Sequence, residues 1–99
     1  MALAITTPVA GTQVSMGEEF PDIVGTCVTS GGAIDVRITA DEVNCDITIT
    51  LTASTTNYTT ASIIKYVPGA PGVYTVRVTD VTDGGHVEVQ IQVFQSEGV

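Results

Sequence analysis

Basic residues are scarce in this sequence, which has 3 Lys and Arg residues against 11 Asp and Glu residues and a formal net charge of −8 at pH 7. Proteins that bind nucleic acid neutralise many phosphates with Lys and Arg, and anionic membrane surfaces attract the same side chains. So few cations in so acidic a chain exclude both roles. We therefore expect no nucleic acid and no membrane insertion, and we expect the partner to be a protein.

Long hydrophobic runs and a secretion signal are also missing. No stretch reaches about 18 apolar residues, the length that a membrane-spanning helix needs. Residues 1–8 lack the basic start and the long apolar segment of a secretory signal. Two interpretations stay open: a domain taken from a larger secreted protein, or a complete protein that uses no signal. We favour the second and expect one domain over residues 1–99.

Residues that carry catalysis or bind metals are few. His86 is the one histidine, and no nucleophile or orienting acid is evident near it. It is expected to be an exposed or half-exposed strand residue beside Gly85. Two cysteines and one distant histidine lack the spacing of a metal site. We expect no catalytic residue, no cofactor and no metal ligands, and a protein that is not an enzyme.

Cys27 and Cys45 are the only thiols, and two interpretations of them stay open. A disulfide between them would close a loop of about 17 residues and stabilise the fold by ~3 kcal/mol. Alternatively, both are small buried hydrophobic residues. The missing export signal favours the second interpretation, because disulfides persist mainly in oxidising compartments.

Acidic side chains cluster at residues 41–46 and around Asp80 and Asp83. Carboxylate oxygens are the ligands that Ca²⁺ takes. However, the spacing of Asp41, Asn44 and Asp46 does not match an EF-hand loop. Solvated loop charge is therefore the favoured interpretation, and a calcium site is the alternative.

What the sequence has in abundance is apolar and polar alternation. Residues 71–80 and 86–93 alternate strictly on either side of a Gly-Gly turn at residues 82–85. This pattern is typical of an antiparallel hairpin with one buried face. Similar runs recur every 8–12 residues, which is the spacing of an all-β sandwich or barrel.

The sequence predicts about seven strands, of which the N-terminal one is interrupted at Pro8 and Gly11. The predicted strands are residues 5–6 with 13–15, 23–29, 33–40, 45–53, 58–67 (with a bulge at Ile63 and Ile64), 71–80 and 86–93. The predicted core is Ile23, Val36, Ile38, Ile47, Ile49, Leu51, Tyr74, Val76, Val78, Val89, Ile91 and Val93.

One stretch carries a family resemblance. In the sixth strand of immunoglobulin-like domains, a Gly or Ala stands two residues before a Tyr, and an inward residue stands two after it. Gly72, Tyr74 and Val76 occupy these places, and the stretch PGVYTVRVTD, with the turn and strand after it, resembles bacterial and phage Ig-like or PKD-like modules. The resemblance implies an Ig-like antiparallel β-sandwich and a hydrogen bond from the Tyr74 hydroxyl to nearby backbone.

Four residues are candidates for a partner surface. Thr48, Thr50 and Thr52 form an outward row on one predicted strand, although β-propensity alone also explains threonine there. Phe94 interrupts the polar outer phase of the last strand. Phe20, in a predicted loop, is a further candidate for a small hydrophobic contact with a partner.

These features together predict a non-catalytic structural protein. We expect a phage virion component, either a capsid decoration (head auxiliary) protein or a tail Ig-like protein, located in the virion and docked on a repeating assembly, with homo-oligomers possible. The alternative is a cell-surface Ig-like adhesion or carbohydrate-binding module of a larger secreted protein, located outside the cell.

Overall fold

A computed structural model describes residues 2–40, 45–60 and 67–95. These residues form eight β-strands, and none of them lies in a helix that could cross a membrane. The strands are β1 (Ala4–Thr7), β2 (Gln13–Ser15), β3 (Val24–Thr26), β4 (Ala33–Ala40), β5 (Asp46–Thr52), β6 (Asn57–Thr59), β7 (Gly72–Asp80) and β8 (His86–Phe94). The all-β class that the alternation predicted is confirmed.

The strands form two sheets that pack as a sandwich. A three-stranded sheet has the order β1-β3-β6, and a five-stranded sheet has the order β2-β8-β7-β4-β5. Neighbouring strands are antiparallel, except that β2 lies parallel to β8, with Val14 opposite Val93. The apolar residues of both inner faces form one buried cluster.

The N-terminal segment supplies two strands rather than one interrupted strand. β1 belongs to the three-stranded sheet and β2 to the five-stranded sheet. The chain changes sheets between them, where Pro8 has no backbone N–H to donate to a ladder and Gly11 has a φ of +83° that favours glycine. The signals at Pro8 and Gly11 were recognised as a break, but they mark a passage between sheets.

Other boundaries follow the prediction to different degrees. β4 has the predicted bounds, the final hairpin is confirmed to within a residue, and β5 is one residue shorter at each end. β3 is much shorter than the predicted strand at 23–29. Residues 61–66, with the predicted bulge, and the acidic loop at 41–44 lie outside the described residues.

The core contains most of the predicted residues and several others. Ile47 and Ile49 are only half-buried, because β5 is the last strand of its sheet; the other ten predicted residues are buried. Phe20 was wrongly expected to be a partner contact: it is 5% exposed, and its ring centroid lies 6.3 Å from that of Tyr74. Buried residues outside the predicted core list are Pro8, Val14, Phe20, Gly25, Cys27, Ile34, Ala53, Tyr58, Thr60, Pro68 and Asp80.

Candidate docking surface

The outer face of the five-stranded sheet gathers the threonine row with most of the charged strand residues. Thr48, Thr50 and Thr52 are all exposed on β5. The strand register extends their rows across the sheet, since residues directly opposite each other share a face. The three complete rows are Thr50-Asp35-Thr79-His86, Thr48-Arg37-Arg77-Glu88 and Asp46-Thr39-Thr75-Gln90.

Contacts between strands hold the side chains of this face in place. The Arg37 guanidinium donates to both Asp46 carboxylate oxygens, with Nε–Oδ1 2.9 Å and Nη2–Oδ2 2.8 Å. This bidentate hydrogen bond holds the pKa of Asp46 below its usual range. The Thr50 hydroxyl donates to Asp35 Oδ1 at 2.8 Å, so two outer-face carboxylates are already engaged from neighbouring strands.

A second arginine lies beside the first. Arg77 is directly opposite Arg37 in the β4–β7 ladder. Its Nη2 lies 3.2 Å from His86 Nδ1, and its Nε lies 4.0 Å from Glu88 Oε2. Each arginine is therefore drawn away from the other, toward a partner on its own far side.

The face is nearly neutral although the protein is strongly acidic. Its rows hold two of the three basic residues, Arg37 and Arg77, and three of the eleven acidic ones, Asp35, Asp46 and Glu88. The face thus has a formal charge of 2 − 3 = −1, and the rest of the sequence has 1 − 8 = −7. Among the described residues outside these rows, five are acidic and none is Lys or Arg, so their formal charge is −5.

Phe94 does not belong to the patch around the threonine row. It is 41% exposed on the same outer face, but three strand spacings, about 14 Å, separate β8 from β5. It also lies six residues, about 20 Å, beyond Glu88, which shares a row with Thr48. The four predicted partner residues therefore divide into a threonine row and an isolated phenylalanine at the opposite corner.

The three residues that carry the family resemblance each have a structural role in β7 or its neighbouring loop. The Tyr74 hydroxyl donates to the carbonyl oxygen of Ala70 at 2.9 Å, the kind of hydrogen bond that the resemblance implies. Val76 is fully buried. Gly72 has a φ of +146°, a conformation that side chains rarely adopt.

Cys27 and Cys45 are not joined by a disulfide. Cys27 directly precedes Val28, whose N–H donates to Asp80, and Asp80 lies opposite Ile34 of β4. Cys45 lies near the other end of β4, where its carbonyl oxygen accepts from the Ala40 N–H. Ile34 and Ala40 are about 20 Å apart along β4, and a disulfide requires α-carbons within about 7 Å. Of the two interpretations, the structure has the unbridged one, although Cys45 is only half-buried. Cys27 is buried, and burial is the main cause that raises the pKa of its thiol.

Asp80 is the polar residue whose role sequence reasoning missed. It is fully buried, and its Oδ1 accepts from the Asp83 N–H at 3.1 Å, while its Oδ2 accepts from the N–H groups of Val28 and Thr29 at 3.1 and 3.0 Å. These backbone hydrogen bonds, led by that from Asp83, lower the pKa of Asp80. The carboxylate joins the β3–β4 loop to the β7–β8 turn. The sequence signal for this role was the position of Asp80 three residues before Asp83 of the turn, because Asp side chains accept hydrogen bonds from the backbone of turns that follow them.

The calcium candidates do not come together in the described residues. Asp41 and Asn44 lie outside them, Asp46 binds Arg37, and Asp80 is enclosed by backbone donors. No group of three or more His, Cys, Asp and Glu side chains there could hold a metal ion. His86 is exposed at the start of β8, opposite Thr79, as expected.

A shallow groove of about 330 Å³ lies where the edge of the three-stranded sheet meets the end of β5. Its lining comprises Val24, Thr52, Ser54, Asn57, Tyr58 and Thr59. Tyr58 is only 2% exposed, so its ring offers no face on which a sugar could stack.

The chain matches no protein-family model, and a search of curated proteins finds no match either.

Proposed function

We propose that this protein is a non-catalytic structural module that docks onto a repeating protein assembly through the outer face of its five-stranded sheet. The observation that carries the proposal is the charge distribution: the outer face has a formal charge of −1 and the other described residues −5. Against an acidic assembly, long-range repulsion is therefore weakest at this face. Such an assembly repels the acidic remainder, which favours the orientation that presents the outer face to it.

The ordered side chains of the face support the same role. Arg37 is fixed by Asp46, and Thr50 by Asp35. A surface whose rotamers are already restricted loses less side-chain entropy when a partner covers it. Threonine carries two heavy atoms on its β-carbon, which restrict its χ1 angle, so the threonine side chains add little further flexibility.

The assembly that we propose is a phage-type virion, in which the protein is a capsid decoration or tail Ig-like component. An Ig-like identity is supported by the strand order of the two sheets and by the Tyr74–Ala70 hydrogen bond. A cell-surface adhesion or carbohydrate-binding role is the alternative, and it becomes an outcome of the test below. The buried Tyr58 ring in the groove does not favour it.

Cosedimentation tests the proposal, using particles isolated from the phage or cell whose genome encodes the chain. Thr75 lies in the middle of the outer face on β7, and Thr6 is exposed on β1 of the other sheet. We expect Thr75→Glu to weaken particle binding at least about tenfold, because one added charge on a buried contact opposes docking. Thr6→Glu adds the same charge and should bind like wild type.

Two results would overturn the proposal. One is wild-type protein that stays in the supernatant at every particle concentration. The other is a glycan-array signal that Thr75→Glu abolishes, which would transfer the function to the carbohydrate-binding alternative.

A further inference from the structure

β5 is the longest strand edge that the described residues leave unpaired. It ends the five-stranded sheet and has 7 residues, whereas the other edge strands, β1, β2 and β6, have 4, 3 and 3. Its length is about 24 Å. Natural proteins usually protect such an edge with lysine, proline, a bulge or a very short strand. β5 uses none of these, and Asp46 is its one charged residue, engaged by Arg37.

The ladder to β4 shows which backbone groups face the open edge. The Cys45 carbonyl accepts from Ala40 N–H, and the Ala53 N–H donates to Gly32. Residues 45 and 53 therefore point their N–H and C=O groups toward β4, and so do the odd residues between them. Asp46, Thr48, Thr50 and Thr52 consequently point theirs away from the sheet.

The strand is self-complementary in one antiparallel register. With Ile49 on a two-fold axis, Thr48 faces Thr50 of a second copy and Asp46 faces Thr52. All four residues whose backbone groups face the open edge then form hydrogen-bonded pairs. Each pair exchanges two hydrogen bonds, about eight in total. No two carboxylates meet, because the partner of Asp46 is a threonine. Shifting the register by two residues leaves some outward groups unpaired.

The inner face of β5 supports this register. Ile47 and Ile49 are half-buried, whereas Ile34, Val36 and Ile38 on the adjacent strand are fully buried. In the two-fold arrangement Ile49 faces Ile49 of the second copy, and Ile47 faces Leu51. The apolar area that one copy leaves exposed at its edge is thus covered by the same residues of the other.

From these observations we infer that β5 pairs with β5 of a second copy of this chain and joins two five-stranded sheets into one continuous sheet. This interface lies on the sheet edge, whereas the proposed function uses the outer face. The two proposals can therefore fail separately.

Sedimentation equilibrium of the purified wild-type chain, from about 10 μM to 1 mM, tests the association. We expect the mean mass to rise toward twice 10.2 kDa. A mass that stays at one chain throughout this range overturns the inference, whatever the protein does with particles.

Cysteine cross-linking tests the register. In a Cys45→Ser background, Ile49→Cys places two thiols at a non-hydrogen-bonded pair, about 4.5 Å between α-carbons, which a disulfide can span. Ile47→Cys is the matched control, because its two copies would be about 14 Å apart. With oxidised glutathione as oxidant, we expect reductant-sensitive dimers of Ile49→Cys and few of Ile47→Cys; equal yields from both variants overturn the register.

A charge-swap pair keeps the inference testable if the isoleucine variants fold poorly. The double variant Thr48→Lys with Thr50→Lys, and the double variant Thr48→Glu with Thr50→Glu, each put like charges opposite one another in the two-fold register. Each should be monomeric alone, and an equimolar mixture should form a heterodimer. A mixture that remains monomeric overturns the inference, and so does a double variant that still self-associates.

Discussion

Gly25 of β3 lies directly opposite Tyr58 of β6, and the Tyr58 side chain occupies the space that any side chain at position 25 would need. A β-carbon built on Gly25 would collide with the Ala4 carbonyl oxygen and with the Tyr58 ring. The Tyr58 hydroxyl crosses this glycine to donate to Ala4 O at 2.7 Å. The three strands of the smaller sheet are thus tied together across a residue without a side chain.

This contact predicts that Gly25→Ala destabilises the fold. Overpacking a rigid site costs about 1–3 kcal/mol, and here backbone and ring must both shift. Gly69→Ala is the matched control, since a β-carbon there meets no atom within 4 Å. Urea unfolding measures both free energies of unfolding; equal values for the two variants would contradict the packing.

The Tyr58 hydroxyl should make the protein sensitive to alkaline pH. Burial is the main cause that raises its pKa well above the usual value, with a smaller contribution from Cys27. The folded state therefore keeps a proton that the unfolded state releases above about pH 10, so stability is complete below that pH and declines as the pH rises.

The expected loss between pH 9 and pH 11 is about 1 kcal/mol from this group. Tyr58→Phe should cost about 1 kcal/mol at pH 7, because the Ala4 carbonyl loses its donor, but should lose less than wild type on going to pH 11. Because Cys27 is coupled to Tyr58, the comparison measures the titration of Tyr58 together with that coupling. Parallel pH profiles of the urea midpoint would show that Tyr58 is not the group responsible.

The sequence predicts strands well where one face is buried and one is solvated. β4, β7 and β8 are central strands, and their strict alternation located them almost to the residue. β3 and β6 have only three residues each, too few for a period of two to be recognised. The partition of the N-terminal segment between two sheets depends on contacts distant in sequence, so local pattern could not specify it.

The outer face illustrates the same limit. Alternation alone predicted that Thr48, Thr50 and Thr52 point outward, and they do. That Arg37 meets Arg77 depends on the register of β4 with β7, which becomes known only when the ladder is formed. The separation of Phe94 from the threonine row has the same origin, because it depends on strand order.

The Asp80 carboxylate should govern stability in acid. Its pKa is lowered by backbone donors of Asp83, Thr29 and Val28. A carboxyl with a lowered folded pKa stabilises the protein fully above the unfolded pKa of about 4, and this contribution is lost as the pH falls toward the folded pKa. We expect the wild-type Tm to fall steeply below about pH 4.

Asp80→Asn tests this assignment. The amide NH₂ replaces an acceptor with a donor and confronts a backbone N–H, so the Tm at pH 7 should be lower, and its further fall in acid should be smaller. Asp83→Asn is the control: Asp83 is exposed, and it contributes its backbone N–H, which the substitution keeps. An Asp80→Asn protein that melts like wild type at pH 7 would refute the role of the carboxylate.

Truncating Phe20, which lies in a loop, should destabilise the fold more than truncating Phe94, which lies on a strand. Phe20 lies outside any strand but is 5% exposed and packs on Tyr74, whereas Phe94 ends a strand and is 41% exposed. We expect Phe20→Ala to cost about 3–5 kcal/mol, because a cavity remains beside the Tyr74 ring. Phe94→Ala should change the free energy of unfolding by about 0.5 kcal/mol or less.

Since a domain of this size has only about 5–15 kcal/mol of stability, Phe20→Leu serves as a milder second variant in the same urea titrations. If Phe94→Ala proved the more destabilising of the two truncations, the placement of the Phe20 ring in the core would be wrong.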